Sequence, residues 1–301
     1  MTHPVILTDR DRAILRLLSW TPATTVLLLR ASSTFAGGPF PDERRLRERL
    51  QALAQAGFLR SWGAVPTGGG LQNYYKLTPA GFQALHGSDI ELPPRAFLAE
   101  IAPSFFEHTL QLAEVIVETV RAAHMSHVVI NRFHRENDLT FTVGDEQVQP
   151  DCFFGFTAGH KQFHCAFEID LSTETVDSPS FKSIRRKLLT YDAYQTLLLA
   201  QWHENGKAWQ RPRFRVAFFT RSIERAYHIL AVAKRVAVFK SRRLIYAATL
   251  DSFLRATDPL RTPIFIDHYG HWHALVELHP SARATFEPVR LPSSVEQLLP
   301  L

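Results

Sequence analysis

Apolar residues recur at helical spacing in three stretches of the first ninety positions. In the third stretch, from about residue 42 to 56, Leu46, Leu50 and Leu53 repeat at i, i+4 and i+7 and predict an amphipathic helix. Gly57 ends this helix, and two strand-like runs joined by the triple glycine at 68–70 follow it. The predicted order is therefore helices over 7–18, 23–30 and 42–56, a hairpin over 62–77, and a helix over 79–85.

A different pattern follows a polar, proline-bearing stretch at residues 87–95. A long amphipathic helix leads into short strand-like runs, then helices and strands alternate, which predicts βαβ units and an α/β domain. The predicted elements are helices over 103–124, 180–202 and 223–239 and strands over 128–132, 139–143, 148–156, 162–171, 214–220 and 244–248. The predicted fold class is α/β and α+β in two domains. The predicted organisation is a first domain over 1–87, a linker over 88–97, a second domain over 98–250, and an extension over 251–301 packed on it.

Carboxylates concentrate on two neighbouring strands of the second domain. Gly159-His160 is the turn signal between the runs CFFGF and FHCAFEI, which should pair as a hairpin. Because side chains alternate along a strand, Glu168 and Asp170 share one face, while Asp151 begins the partner strand. Three carboxylates in apolar surroundings are costly to bury without compensation, so a divalent cation or a lysine is expected there.

The helices on either side of the hairpin offer partners for these carboxylates. In the following helix, Lys187 and Tyr191 belong to a stripe that continues through apolar positions, so both project from or beside its apolar face. Glu114 and His108 lie at the margins of the buried stripe of the preceding helix. Glu174 lies in the loop after the second strand and is a candidate for a supporting carboxylate.

Composition describes an ordinary globular chain of 301 residues, with 46% hydrophobic and 21% charged positions. No apolar run approaches the roughly 20 residues needed to cross a bilayer, and the N-terminus lacks the pattern of a signal peptide. We therefore expect a cytoplasmic protein that does not engage a membrane. Cys152 and Cys165 are expected to be a reduced, buried pair.

Charge is distributed unevenly along the chain. Residues 97–181 carry 4 basic and 13 acidic side chains (net −9), whereas residues 182–243 carry 15 basic and 3 acidic ones (net +12). The whole chain carries +5. Carboxylates for a metal ion flanked by cations for a phosphate backbone would produce this pattern, although a solvated charge asymmetry would produce it too.

The first ninety residues resemble the winged helix-turn-helix family. The resemblance rests on the element order and on RLRERLQALAQAGFLRSW followed by YYKLTPAGFQAL. It implies that the third helix enters the major groove of double-stranded DNA, although some winged helices dock proteins instead. The candidate DNA contacts, including those expected in the basic segment of the second domain, are Arg44, Arg45, Arg47, Arg49, Lys76, Arg185 and Arg186.

The hairpin resembles the PD-(D/E)xK nuclease superfamily, a group with a restriction-endonuclease-like α/β core. In that superfamily an Asp and a Glu, here Asp151 and Glu168, hold magnesium and a Lys assists phosphodiester hydrolysis. The expected Lys position is Asp170 in this chain, but Lys187 fits the variant in which the Lys comes from a helix. The resemblance implies a Mg²⁺ or Mn²⁺ site of Asp151, Glu168 and Glu114, with Asp170 assisting.

At the level of the whole chain, the ordered motifs HTLQLAEVIVETV, PDCFFGF, FEIDLSTET and KLLTYDAY resemble the replication-relaxation family of plasmids and mobile elements. The resemblance implies a role in replication, in mobilisation or in their control. Two interpretations stay open. One is a metal-dependent DNA endonuclease, or nickase; the other is a DNA-binding transcription or replication regulator with a degenerate nuclease-like domain, in which Asp170 would pair with Lys187. A homodimer is compatible with either.

A histidine-rich motif, HYGHWH, supplies His268, His271 and His273. On a strand His271 and His273 share a face while His268 does not, and no carboxylate and cysteine set accompanies them. The edge of a hairpin is therefore favoured over a metal site.

Overall fold

The structure is a computed structural model, and it describes residues 6–64, 72–180, 183–205, 213–238, 242–277 and 289–291. The chain divides into two compact units, Met1–Arg121 and Ala122–Leu301. Within the described ranges, no helix has both the length and the apolar character needed to span a bilayer.

The first unit is a helical bundle closed by a small sheet. Its three-stranded sheet has the order β1-β3-β2, with antiparallel pairing throughout. Its elements are α1 (Asp9–Trp20), β1 (Ala23–Thr24), α2 (Thr25–Ala31), a 3-10 turn (Ser32–Thr34), α3 (Glu43–Gln55), β2 (Leu59–Ala64), β3 (Gln72–Leu77), α4 (Pro79–His86), α5 (Arg95–Leu98) and α6 (Pro103–Met125).

The helices and the β2–β3 hairpin follow the order that the sequence predicts for the first domain. Helix α3 begins where the side chain of Asp42 accepts from the backbone N–H of Arg45, and its residues Leu46, Leu50 and Leu53 are buried as the apolar spacing predicts. The triple glycine predicted as the tip of the wing lies outside the described residues.

The boundary between the units falls later than the linker predicted at 88–97. Ala113 and Val117 of α6 are fully buried in the same apolar core as Ile14 and Leu50 of the first unit. Because this apolar stripe packs on the first unit, most of α6 belongs to it. A sequence pattern shows that a helix has an apolar face but not which core that face enters.

The second unit is built on a seven-stranded mixed sheet of order β12-β11-β10-β9-β8-β7-β4, beside a separate β5-β6 hairpin. Strands β8, β9 and β10 are parallel to one another, whereas β4, β7, β11 and β12 pair antiparallel with their neighbours. Its elements are β4 (Val129–Arg135), β5 (Phe141–Val143), β6 (Glu146–Val148), β7 (Cys152–Ala158), β8 (Lys161–Asp170), α7 (Ile184–Asn205), β9 (Arg215–Thr220), α8 (Ile223–Val236), β10 (Ile245–Thr249), α9 (Leu250–Arg255), β11 (Phe265–Asp267) and β12 (Trp272–His273).

The predicted fold class, a winged helix followed by an α/β domain, is confirmed at the level of a mixed α/β chain with a large mixed sheet. The predicted β7–β8 hairpin is present, and Gly159 at its turn has a φ of +60°. Cys152 and Cys165 are buried free thiols on its two strands.

Strands β11 and β12 extend the sheet as an added edge, which joins the C-terminal extension to the same layer.

A buried ionic cluster fastens this added edge. The carboxylate of Asp267 is inaccessible to solvent and lies 2.9 Å from Nε2 of His273 and 3.2 Å from Nε of Arg243. It also accepts from the backbone N–H groups of Tyr269 and His271, at 2.8 and 3.0 Å. Burial alone would raise the pKa of Asp267, but these donors lower it to about 2. The histidine motif is thus part of a structural cluster.

We expect this cluster to make stability depend on pH. Because the folded pKa of Asp267 is lowered from 3.8 to about 2, its contribution is present above about pH 4 and is lost as the pH falls toward 2. A shift of that size corresponds to about 2 kcal/mol. In urea unfolding, the difference between wild type and Asp267→Asn should be largest near pH 6 and shrink toward pH 3.

The exposed Asp251 supplies the control for this measurement. Its pairing with Arg255 is a surface i, i+4 contact, so Asp251→Asn should change the free energy of unfolding by less than about 0.5 kcal/mol at every pH. A difference for Asp267→Asn that stays constant from pH 6 to pH 3 would rule out the titration of this carboxylate as its origin.

Candidate functional site

Glu168 is the centre of a polar site inside the second unit. It lies near the end of β8 and is only 2% exposed. Its two carboxylate oxygens have separate partners on α7. Lys187 donates to Oε2 at 3.0 Å, and the hydroxyl of Tyr191 donates to Oε1 at 2.5 Å. Because the two partners are one helical turn apart, a single face of α7 provides both.

Asp151 is held beside Glu168 by the backbone of β8. Its N–H donates to the carbonyl of Phe167 at 3.0 Å, and its Oδ2 accepts from the N–H of Ile169 at 2.6 Å. These two bonds flank Glu168 in sequence, so they bring the carboxylates of adjacent strands together. We call Asp151, Glu168, Lys187 and Tyr191 the carboxylate–lysine site.

The electrostatics of this site favour a protonated Lys187. Burial raises the pKa of Glu168 to about 7, an effect that Lys187 opposes and the charge of Asp151 increases. Burial alone would lower the pKa of Lys187, but the carboxylates of Glu168, Asp151 and Glu174 raise it above its usual range. Burial likewise raises the pKa of Tyr191, so its phenol remains a donor. The site therefore places two carboxyl groups beside one ammonium group.

The loop after β8 adds a further carboxylate. Oε1 of Glu174 lies 3.2 Å from Nζ of Lys187, so this ammonium group lies between two glutamates. The other oxygen of Glu174, Oε2, is buried and has no hydrogen-bond partner among the described residues. Glu174 therefore lies where the sequence predicted a supporting carboxylate.

Asp170 has a different partner from the one expected under the regulator interpretation. Arg225 of α8 binds it through two nitrogens, at 2.5 and 3.0 Å, and also donates to the backbone carbonyl of Glu174 at 2.5 Å. Asp170 accepts in addition from the N–H of Ser172, so it organises the loop. The expected Asp170–Lys187 pair is thus not formed, because Arg225 occupies Asp170 and Lys187 turns to the glutamates.

The sequence reasoning missed Arg225, although a signal for it exists. Strands β8 and β9 are parallel, and Asp170 is level with Thr220 at their carboxyl ends. Ser222 then caps α8 by accepting from the N–H of Arg225, which fixes the arginine in the first turn. The parallel pairing could therefore have predicted that Arg225, five residues after the end of β9, lies beside Asp170.

The acidic and basic segments of the chain pair with each other in this unit. Besides the contacts of Lys187 and Arg225, Arg186 binds Glu146, with Nε–Oε2 at 2.8 Å, and Arg235 lies 2.5 Å from Asp177. Arg185 lies 4.0 Å from the same aspartate. Much of the basic segment therefore neutralises the acidic one and is not available as a uniform cationic surface.

Two candidates from the preceding helix belong to the first unit. Glu114 is half-buried on α6, and burial raises its pKa while Arg30 of the same unit opposes the rise. His108 is half-buried on the same helix. Neither is among the contacts described for Glu168, so we do not include them in the carboxylate–lysine site.

The arginines of α3 are mostly exposed. The side chains of Arg44, Arg45 and Arg47 are 84%, 65% and 65% exposed, and their partners Glu43 and Glu48 lie on the same helix. Such surface pairs contribute little, so these guanidinium groups remain available to a phosphate or a base. We call these three the α3 arginines.

Arg49 and Lys76 have structural partners instead. Arg49 binds both oxygens of the fully buried Asp11, at 2.6 and 2.5 Å, which joins α3 to α1. Lys76 is 5% exposed and donates to the carbonyl of Ala99 at 2.5 Å. Burial lowers the pKa of Lys76 to about 8. These positions differ from the exposed DNA contacts that the sequence predicted.

A first unit of helices with a three-stranded sheet is thus followed in the chain by a mixed α/β unit that carries a buried carboxylate–lysine site. The model of the replication-relaxation family matches residues 19–208, which is more than half of the chain. The chain belongs to the replication-relaxation family.

Other comparisons add little. Among curated proteins, none matches the chain. Among solved structures, restriction endonuclease FokI is similar with a TM-score of 0.29 and 10% identity, over 83% of this chain and 44% of that one. The chain thus spans less than half the length of that protein, and a likeness of this size does not bear on fold or function.

The hydrogen bond from Tyr191 to Glu168 should stabilise the fold. Tyr191→Phe would leave a buried carboxylate oxygen without its donor, so we expect the free energy of unfolding to fall by about 1–3 kcal/mol. Tyr194→Phe is the matched control on the same helix, because the ring of Tyr194 stacks on Phe141 at 4.6 Å and that contact survives the change. Equal losses in urea unfolding of the two variants would contradict a special role for the bond.

Proposed function

We propose that this protein is a DNA-binding, metal-dependent DNA endonuclease, or nickase, acting in the replication or mobilisation of a plasmid or mobile element. The observation that carries the proposal is the burial of Glu168 between Lys187 and Tyr191, with Asp151 held beside it. Double-stranded DNA would be its partner, and the cytoplasm its location. Family membership supports the biological setting.

The residues of the site fit a magnesium or manganese ion. Asp151, directly before β7, and Glu168 on β8 offer hard oxygen ligands. Burial, together with the charge of Asp151, raises the pKa of Glu168, and a cation would favour its ionised form. The described residues contain no group of three or more His, Cys, Asp or Glu side chains placed to hold a metal. Magnesium is commonly held by one or two carboxylates with water and substrate phosphate, so two ligands suffice.

The ion would supply Lewis acidity toward a phosphodiester and a water molecule. The chain's own residues would do the rest. The ammonium group of Lys187, 28% exposed, can donate to a phosphate oxygen as negative charge develops there. Tyr191 would hold the Glu168 carboxylate in one orientation, and Glu174 would hold Lys187 from the opposite side. A purely structural ion pair does not require this second glutamate.

A non-catalytic regulator of transcription or replication is the second candidate. The observation that favours it is Asp170, which stands at the position of the motif lysine and is bound by Arg225. In that case the carboxylate–lysine site would be a structural remnant, and the second unit would clamp DNA or mediate a homodimer.

Nicking activity should depend on the two carboxylates. With Mg²⁺ or Mn²⁺, the wild-type protein should convert supercoiled plasmid to open-circular or linear DNA, and Asp151→Asn and Glu168→Gln should each reduce the rate at least 100-fold. Calorimetry should show a manganese site in the wild type that Asp151→Asn removes. The exposed Asp251→Asn variant should cleave and bind manganese as the wild type does.

The Lys187→Gln variant distinguishes a role in catalysis from a role in metal binding. Lys187→Gln removes a cation that competes for Glu168, so manganese should bind at least as tightly as in the wild type, while nicking should be lost. A wild-type protein that neither binds manganese nor cleaves would favour the regulator. Cleavage that survives both carboxylate substitutions would remove these residues from the mechanism.

DNA recognition should depend on the α3 arginines. Losing one base-contacting Arg typically costs about 1–3 kcal/mol, so the triple Arg44→Ala/Arg45→Ala/Arg47→Ala variant should lose preference for its own plasmid DNA over random duplex. Arg185→Ala/Arg186→Ala should weaken binding to all sequences alike and lower the slope of the salt dependence by at most about two units. Fluorescence anisotropy across a salt series measures both.

Asp251→Asn is a useful reference for the same titrations, since it changes one exposed charge outside both regions. If the triple variant and the double variant both bind specific and random duplexes with wild-type affinity, DNA is the wrong partner. The winged helix would then be a protein-docking module.

A further inference from the structure

A cleft of about 880 Å³ opens in the second unit, away from Glu168. It is formed where the parallel strands β8, β9 and β10 begin and by the last turns of α7. Within β8, His164 lines the cleft, and Glu168 lies four residues further on, about 13 Å at a strand rise of about 3.3 Å. The volume falls within the roughly 300–1,000 Å³ of small-molecule sites and exceeds what a single inorganic ion needs.

Four arginines line this cleft, and three of them are held in place by contacts that the structure describes. Arg242 binds Oδ1 of Asp192 at 2.8 Å, and Arg243 lies 3.2 Å from Asp267. The fourth, Arg213, also lines the cleft and is exposed. Guanidinium groups whose positions are already fixed lose little side-chain entropy when they bind an anion.

Arg215 is held by two backbone carbonyls and two aromatic rings, in addition to the carboxylate of Glu277. It donates to the backbone carbonyls of Ala274 and Leu275 at 2.9 Å each, and its guanidinium lies over the rings of Phe163 and Tyr246, at 5.8 and 5.3 Å from their centres. The cleft therefore combines fixed positive charge with aromatic walls.

Acidic groups also lie near the cleft. Glu277 lines it, 3.8 Å from Arg215 and 2.9 Å from Nδ1 of His273. Burial alone would lower the pKa of His273, but Asp267 and Glu277 raise it above its usual value. Four arginines thus line the cleft, and the carboxylates described near them are those of Asp192, Asp267 and Glu277.

His164, a residue that lines the cleft, has one buried polar atom with no hydrogen-bond partner among the described residues. This atom, Nδ1, lies near Gly155 of β7, and the imidazole ring stacks on Phe153 at 6.1 Å. Buried polar atoms are nearly always paired, so an ordered water or a ligand atom is expected beside this nitrogen.

We propose that this cleft binds the phosphate of a nucleotide, either free or at the 5′ end of a nucleic-acid strand. Fixed arginines present paired N–H groups that match phosphate oxygens, and the aromatic walls and volume suit an attached nucleoside. The site is separate from the carboxylate–lysine site and does not rest on the proposed nuclease activity.

The test measures binding of three probes to the full-length protein in EDTA, which prevents metal-bridged binding at Asp151 and Glu168. The probes are inorganic pyrophosphate, dATP, and a short single-stranded oligonucleotide with and without a 5′ phosphate. We expect saturable binding of at least one phosphate-bearing probe. Arg213→Gln/Arg243→Gln should weaken it at least tenfold, while Arg255→Gln, an exposed arginine on α9, should stay within twofold of the wild type.

Because Arg243 contacts the buried Asp267, the double variant is accompanied by Arg213→Glu, which reverses a charge at an exposed position. It should weaken binding at least fivefold, and circular dichroism should show that the variant is folded. Asp151→Asn should bind the probes as the wild type does, so failure of the nuclease proposal leaves this one intact.

The order of affinities identifies the source of the phosphate. Tenfold tighter binding of the phosphorylated than of the unphosphorylated oligonucleotide, with weaker binding of dATP, assigns the end of a strand; the reverse order assigns a free nucleotide. The proposal is overturned if no phosphate-bearing probe binds saturably up to millimolar concentration. It is equally overturned if Arg213→Glu binds as the wild type does, or if Arg255→Gln weakens binding as much as the cleft variants do.

Discussion

The burial of one carboxylate constrains most of the second unit. Glu168 is 2% exposed, and an isolated charge in such a position would be prohibitively costly unless paired and hydrogen-bonded. Both of its oxygens are bound from α7, which must therefore pack over β8 with Lys187 and Tyr191 facing the strand. Asp151 is tied to the backbone on both sides of Glu168, so the hairpin register is fixed as well. Helix position, strand register and the local electrostatics thus share one origin.

The same constraint explains the charge distribution along the chain. An acidic segment followed by a basic one looks, in sequence, like a metal site beside a cationic DNA surface. In the structure, Lys187, Arg225 and Arg186 of the basic segment bind Glu168, Asp170 and Glu146 of the acidic one. Charges far apart along the chain become neighbours because parallel strands bring their carboxyl ends to one edge of the sheet. The net charge of a segment is therefore a poor guide to the charge of a surface.

Local periodicity predicted the α3 helix, the β7–β8 hairpin and the stripe of α7 that carries Lys187 and Tyr191. The resemblance to nucleases, and not periodicity, suggested that Lys187 lies in the same site as Glu168. The partner of Asp170 could not be predicted from periodicity. Arg225 contacts it because β8 and β9 are adjacent parallel strands and α8 begins shortly after β9. Lys76 lies on a strand as the pattern predicts, but residues later in the chain bury its side chain, which donates to the carbonyl of Ala99. Glu114 lies on a helix whose apolar face could enter either core. These positions depend on tertiary packing, which short-range patterns do not encode.

The departure from the nuclease motif at Asp170 takes on a different meaning once its partner is known. A carboxylate at the lysine position would add a negative charge to the site, and that would argue against catalysis. Arg225 neutralises it, and the same arginine holds the backbone of Glu174 in the loop beside Lys187. Asp170 and Arg225 therefore act as a brace for the loop, and the cation of the site comes from a helix that already binds Glu168. The ammonium group beside Glu168 thus comes from α7, and under the proposed nuclease function it would take the part of the motif lysine while Asp170 and Arg225 hold the loop.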